Sequence, residues 1–179
     1  GMEFGLWFEP EMVNPDSDLY RAHPEWVLTD PTYPDPVVGR TQLVLDLAND
    51  DVRAYLFEKI SALLTEYPIG YIKWDNNREY VQASHDRRAS VHAQTLGTYA
   101  LLDALRAAHP DVEIESCASG GGRIDFAILE RTSRFWTSDN NDPLDRQRIQ
   151  RGVSHVFPPE LMGAHIAAPR SHTSHRQHT

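Results

Sequence analysis

The sequence has a single cysteine in 179 residues, Cys117, which leaves no intrachain disulfide and suits a reducing, cytoplasmic compartment. No apolar run reaches the roughly 18–20 residues that span a bilayer, so no membrane segment is expected. The start, Gly1-Met2-Glu3-Phe4, lacks the basic flank and long apolar stretch of a signal peptide. Basic residues are scarce: 17 Lys and Arg stand against 26 Asp and Glu, giving a formal net charge of −9, and they form no stripe. Nucleic acid needs clustered cations to neutralise its phosphates, so a neutral or cationic ligand fits better. The nine histidines, even His172, His175 and His178 near the end, come with no HExxH and no paired Cys/His spacing. No metal or other cofactor is therefore expected.

What is present is an alternation of short apolar strands with helical periods, the pattern of βα units and parallel strands. Phe4 to Phe8 reads as a first strand, entering a loop to about Gly39 that holds Pro10, Pro15, Pro24, Pro31, Pro34 and Pro36. A loop that long inside a domain is usually functional. Gln42 to Leu47 reads as extended and apolar. Asn49 or Asp50 then caps a helix to about Glu66, with Val52, Leu56, Ile60 and Leu63 inward. Further strands are expected at Tyr71–Trp74, Val112–Ser116 and Arg134–Thr137, with another beginning within Leu161–Ile166. Helices are expected at about Ala89–His109 (Leu101, Leu102 and Leu105 inward), Gly122–Arg131 and Pro143–Val156. A whole eight-stranded barrel takes about 250 residues. Residues 1–179 are accordingly expected to be one α/β domain, the middle of a (β/α)8 TIM barrel carrying about strands 3 to 6 or 7.

Chemistry concentrates at the strand ends, where Glu9, Asp75, Cys117 and Asp139 fall. Carboxyl ends of parallel strands are where barrel enzymes place their reactive groups. Strand side chains alternate, so Lys73 and Asp75 share a face while Trp74 points away. A neighbouring cation lowers a carboxylate's pKa, as a nucleophile requires; a structural ion pair is the alternative. Asp139 ends a later strand, and two opposed carboxylates are the minimum for glycoside hydrolysis, roughly 5–5.5 Å apart in retaining enzymes. Asp142, before Pro143, suits a helix cap instead. Gly120-Gly121-Gly122 lets backbone approach a ligand closely, but without GK[ST] a phosphate loop is a weak reading. Cys117 has no nearby motif histidine and reads as a pocket-wall thiol. Trp7, Phe8, Trp26, Trp74 and Trp136 suit sugar stacking and core packing equally.

Five blocks in order resemble glycoside hydrolase family 36, the bacterial α-galactosidases often called melibiases. They are Gly5-Leu6-Trp7-Phe8-Glu9-Pro10-Glu11-Met12-Val13-Asn14, Tyr71-Ile72-Lys73-Trp74-Asp75, Ser116-Cys117-Ala118-Ser119-Gly120-Gly121, Trp136-Thr137-Ser138-Asp139 and Met162-Gly163-Ala164-His165-Ile166. The resemblance implies a retaining α-galactosidase acting on melibiose- or raffinose-type oligosaccharides. It implies Asp75 as nucleophile, Asp139 as acid/base, and Trp7, Arg40, Lys73, Asn77, Cys117 and Gly120 as galactose contacts. It implies, too, that a paired-aspartate segment, the remaining barrel strands and flanking β domains lie outside these residues, and that the full-length protein is a homo-oligomer. A truncated, non-catalytic barrel remnant and an α-N-acetylgalactosaminidase or transglycosidase are the competing readings.

Overall fold

Five short runs pair side by side, all parallel, in a computed structural model that describes residues 1–33, 35–165, 170 and 175. In chain order the elements are β1 (Phe4–Phe8), β2 (Met12–Val13), α1 (Asp18–Ala22), β3 (Leu43–Val44), α2 (Asp50–Glu66), β4 (Ile69–Trp74), β5 (Ser84–His85) and β6 (Arg88–Ala89). There follow α3 (Val91–Ala108), β7 (Glu113–Ser116), α4 (Phe126–Leu129), β8 (Arg134–Trp136), α5 (Pro143–Val153) and β9 (Met162–Gly163).

The main sheet runs β1-β4-β7-β8-β9 without reversal. Every crossover therefore steps in one direction, which places the helices on one face. A doubly wound sheet reverses its order, whereas a (β/α) barrel does not. Register aligns Trp7, Lys73, Glu115 and Arg134 across four strands. Because side chains alternate, Trp7, Tyr71, Lys73, Glu115, Arg134 and Trp136 share one polar face. Leu6, Phe8, Ile72, Trp74 and Ile114 point the other way, into the core formed with α2 and α3.

Asn49 caps α2, its side chain accepting from the Asp51 N–H. The buried row is Val52, Leu56, Ile60 and Leu64. The expected Leu63 is 36% exposed, against 8% for Leu64. Packing follows the helix's i, i+4 ridge, which reaches residue 64 rather than 63. Leu101, Leu102 and Leu105 of α3 are buried as expected.

Three expectations change. Gln42–Leu47 does not join the parallel sheet: β3 pairs antiparallel with β2, and Gln94 of α3 completes the segment. The Gln94 amide donates to Leu45 O (2.9 Å) and accepts from the Leu47 N–H (2.7 Å), standing in for a neighbouring strand. The helix after the glycines is only Phe126–Leu129, because the Asp125 side chain caps the Ile128 N–H and starts it late. Lastly, α5 stops at Val153, where Val156 and Phe157 N–H groups turn back onto its carbonyl. The strand expected from Leu161 is β9, while Ile166 lies outside the described residues. Among the described residues no helix is long and apolar enough to cross a membrane.

Leu102 is fully buried. Leu102→Ala is expected to cost about 2–5 kcal/mol, as large-to-small core changes do. Leu63→Ala, at the exposed edge of α2, should cost less than about 1 kcal/mol. Urea unfolding of both variants checks the contrast.

Candidate active site

Asp75 follows β4, and its N–H donates to Phe8 O (2.8 Å), carrying the parallel ladder one residue past the strand. That holds the backbone of Asp75, a residue only 7% exposed. Its Oδ2 accepts from Trp7 Nε1 (3.0 Å) and Asn77 Nδ2 (2.7 Å), and its Oδ1 from the Asn76 N–H (2.9 Å). Burial pushes the Asp75 pKa up, but hydrogen bonds from Asn77, Cys117, Trp7 and the Asn76 N–H outweigh it and leave the carboxyl below its ordinary value. Asp75 is therefore held as a carboxylate.

Lys73 was expected to supply that effect. Instead its Nζ pairs with Glu115 Oε1 (3.1 Å) and lies 3.8 Å from the Trp136 ring centroid. Glu115 is the direct cross-strand partner of Lys73. Adjacent strands lie about 4.8 Å apart, nearer than the roughly 6.6 Å to a residue two further along the same strand. Glu115 is also buried and needs a cation.

Cys117 continues β7, its N–H bonding Trp74 O (2.7 Å). Burial, reinforced by the negative Asp75, pushes its thiol up to about 12. It stays protonated and donates to Asp75, so it serves as a donor rather than a nucleophile. Beyond it Gly120 has φ +82°, and a Cβ there would lie 2.8 Å from the Asp139 backbone nitrogen. Only glycine allows the loop after β7 to press on the loop after β8. Ser119 Oγ donates to Asn77 Oδ1 (3.1 Å), while Asn77 Nδ2 bonds Glu9 Oε1 (2.7 Å) as well as Asp75.

Asp139 is exposed in the loop after β8. The Asn140 N–H bonds Ser138 Oγ (3.1 Å) and the Asp142 N–H bonds Asn140 Oδ1 (3.0 Å), so short polar side chains shape this loop. Arg146 anchors it from below, donating to Ser138 O (2.5 Å) and Gly163 O (2.8 Å) with its guanidinium 4.3 Å from the Trp136 centroid. Asp142 caps α5 as expected, accepting from the Leu144 and Asp145 N–H groups.

The structure thus gathers Trp7, Asn77 and Cys117 directly on Asp75, and Gly120 on Asp139. Lys73 sits two residues before Asp75 in the chain. Arg40 stands at an exposed turn tip, where Arg40 and Thr41 both have positive φ (52° and 59°). Arg78 holds this turn through Gln42 O (3.1 Å) and Val37 O (3.0 Å), and Gln42 Nε2 ties it to Glu9 Oε2 (2.5 Å). That linkage ties the turn carrying Arg40 to the cluster.

Glu11, Asn76, Glu115, Ser119, Arg123 and Arg146 carry contacts that the sequence reading passed over. A charge inside the strand run Glu113-Ile114-Glu115-Ser116 was the available signal for Glu115; nothing local marked the others. A cavity of about 440 Å³ beside these loops is lined by Asn76, Asn77, Tyr80, Tyr99, Ser119 and Arg123, among others, but neither Asp75 nor Asp139 lines it. Among the described residues no group of three or more His, Cys, Asp or Glu could hold a metal ion. His172 and His178 lie outside the described residues.

The sequence matches the Melibiase family over residues 1–179. It is 58% identical to an α-galactosidase of Escherichia coli over the whole chain, which corresponds to 25% of that protein. The crystal structure of the family 36 α-galactosidase AgaA from Geobacillus stearothermophilus superposes with a TM-score of 0.92 at 43% identity, covering 99% of this chain and 26% of that one. A substituted form of AgaA, solved in complex with raffinose, matches with the same TM-score and identity. The chain spans about a quarter of the length of these relatives.

Asn77 is the foremost donor lowering the Asp75 pKa. Asn77→Ala should therefore raise it, so that the carboxylate is lost at a higher pH as acid is added. Carbon-13 NMR titration of the Asp75 carboxyl checks this; an unchanged midpoint would contradict it.

Proposed function

The chain belongs to the melibiase family, and from that premise we propose that this protein is a retaining α-galactosidase that removes terminal α-galactose by double displacement, with Asp75 as nucleophile and Asp139 as acid/base. The observation that carries the reading is an ionised carboxylate just past one strand end, held by four donors, with the glycine-rich loop after β7 packed on the backbone of Asp139, whose side chain is exposed.

In the first step the Asp75 carboxylate attacks the anomeric carbon while Asp139 gives a proton to the departing glycosidic oxygen, leaving a β-galactosyl ester on Asp75. In the second, Asp139 takes a proton from water, the water attacks the same carbon, and α-galactose and free Asp75 are restored. Exposure of Asp139 supports this, because water must reach it. The Trp7 indole, the Asn77 amide and the Cys117 thiol orient Asp75 and border the sugar. Gly120 gives the ring room beside Asp139. Lys73 and Arg40 are assigned to galactose hydroxyls, Lys73 aligned by Glu115 and Trp136, and Arg40 by its Arg78-braced turn.

AgaA, with raffinose in one structure and stachyose in another, supports an oligosaccharide substrate of that kind. A cytoplasmic setting is part of the same reading, supported by a lone cysteine whose role beside Asp75 requires a free thiol.

Asp75→Ala and Asp139→Ala should each lower turnover of raffinose by about a thousandfold or more, the scale of losing a group that acts in the transition state. Proton NMR of wild-type reaction mixtures should show α-galactose accumulating first. Early β-galactose would mean inversion and overturn the role given to Asp75.

A further inference from the structure

We infer, on the basis of the α-galactosidase reading, that Glu11 is a positioning residue: its buried carboxylate sets the loop that carries Asp75 against the glycine-rich loop that abuts Asp139. Glu11 has no exposed surface. Its Oε1 accepts from Trp74 Nε1 (2.8 Å) and an Arg123 guanidinium nitrogen (2.7 Å). Its Oε2 accepts from Asn76 Nδ2, the Tyr80 hydroxyl and the Thr98 hydroxyl, each at 3.1 Å. A carboxylate offers about four lone-pair sites, so five donors saturate it.

The identity of the donors separates positioning from a simple buried ion pair. Trp74 and Asn76 flank Asp75 on either side in the chain, and the Asn76 N–H is itself a donor to Asp75 Oδ1. Arg123 directly follows Gly120-Gly121-Gly122, the loop whose first glycine presses on the Asp139 nitrogen. One carboxylate therefore indexes both catalytic loops and touches neither catalytic side chain. Burial pushes the Glu11 pKa up, but Arg123 and the hydrogen bonds outweigh it, so the group is ionised.

Separation between the two carboxyls matters most for a poor leaving group, which needs attack and protonation together. An aryl leaving group departs with little help from the acid. A purely structural role predicts something different: fewer folded molecules, and an equal loss on every substrate.

The test compares kcat/KM of the intact wild-type enzyme and its Glu11→Gln variant on raffinose and on p-nitrophenyl α-galactoside. Positioning predicts that the raffinose value falls roughly tenfold or more beyond the aryl value, since a misplacement of about 1 Å can cost on the order of a hundredfold. Equal losses on both substrates, or no loss, would overturn it. Tyr80→Phe removes one hydroxyl from the same network and no charge, and serves if Glu11→Gln fails to fold. It should show the same bias at smaller size, and an unbiased Tyr80→Phe would equally overturn the inference. A wild-type enzyme inactive on both substrates would instead refute the α-galactosidase reading itself.

Discussion

Everything at this site depends on keeping the Asp75 carboxylate charged while nearly all its surface is covered. Removing a carboxylate from water costs several kcal/mol even after relaxation. Hydrogen bonds to a charged group return about 1.5–3 kcal/mol each. More than one donor is needed, and four are supplied: Trp7 from β1, Cys117 from the end of β7, and the Asn77 amide and Asn76 N–H from the loop after β4. All four donors are neutral. A cation in direct contact would stabilise the charge more strongly but would also blunt the nucleophile, and the nearby lysine is engaged by Glu115 instead. Parallel register does the placing, since Trp7, Lys73 and Glu115 stand abreast on three adjacent strands.

The surrounding polar residues form linked layers rather than separate pairs. Glu9 and Glu11, two positions apart, grip consecutive residues after the nucleophile: Glu9 holds Asn77 and Glu11 holds Asn76. Lys73 and Arg146 each lie against the ring of Trp136, so the strand leading to Asp139 is clasped by two cations. Glycine at position 120 then removes the one side chain that would force the β7 and β8 loops apart. Charged groups spread through a buried face are costly unless each is paired, and here Glu11, Glu115, Lys73 and Arg123 all are.

Elements with strong local patterns were legible from residues alone. Phe4–Phe8, the Asn49-capped helix and the leucine row of α3 all follow from alternation, capping and helical spacing. For the same reason Asp75 directly follows β4 as read, while Asp139 lies in the loop three residues past the end of β8. What escaped the sequence depends on contacts far along the chain. Gln42–Leu47 read as extended and apolar, but nothing local reveals that the Gln94 side chain completes its hydrogen bonding. The β5–β6 hairpin went unseen because its turn, Asp86-Arg87, takes positive φ at both residues without a glycine. Lys73 was matched to the acid two residues on, while register delivered a different acid across the strand. Glu11 gave no sign, since its five donors are spread from Trp74 to Arg123.

The most direct test of the central claim is covalent trapping. A fluorinated α-galactosyl fluoride slows release of the glycosyl-enzyme, and mass spectrometry of the digested intact enzyme then locates the sugar. Labelling confined to the peptide containing Asp75, at Asp75 itself, is the predicted result. A galactosyl group on any other residue, or no adduct while the enzyme turns over, would contradict it.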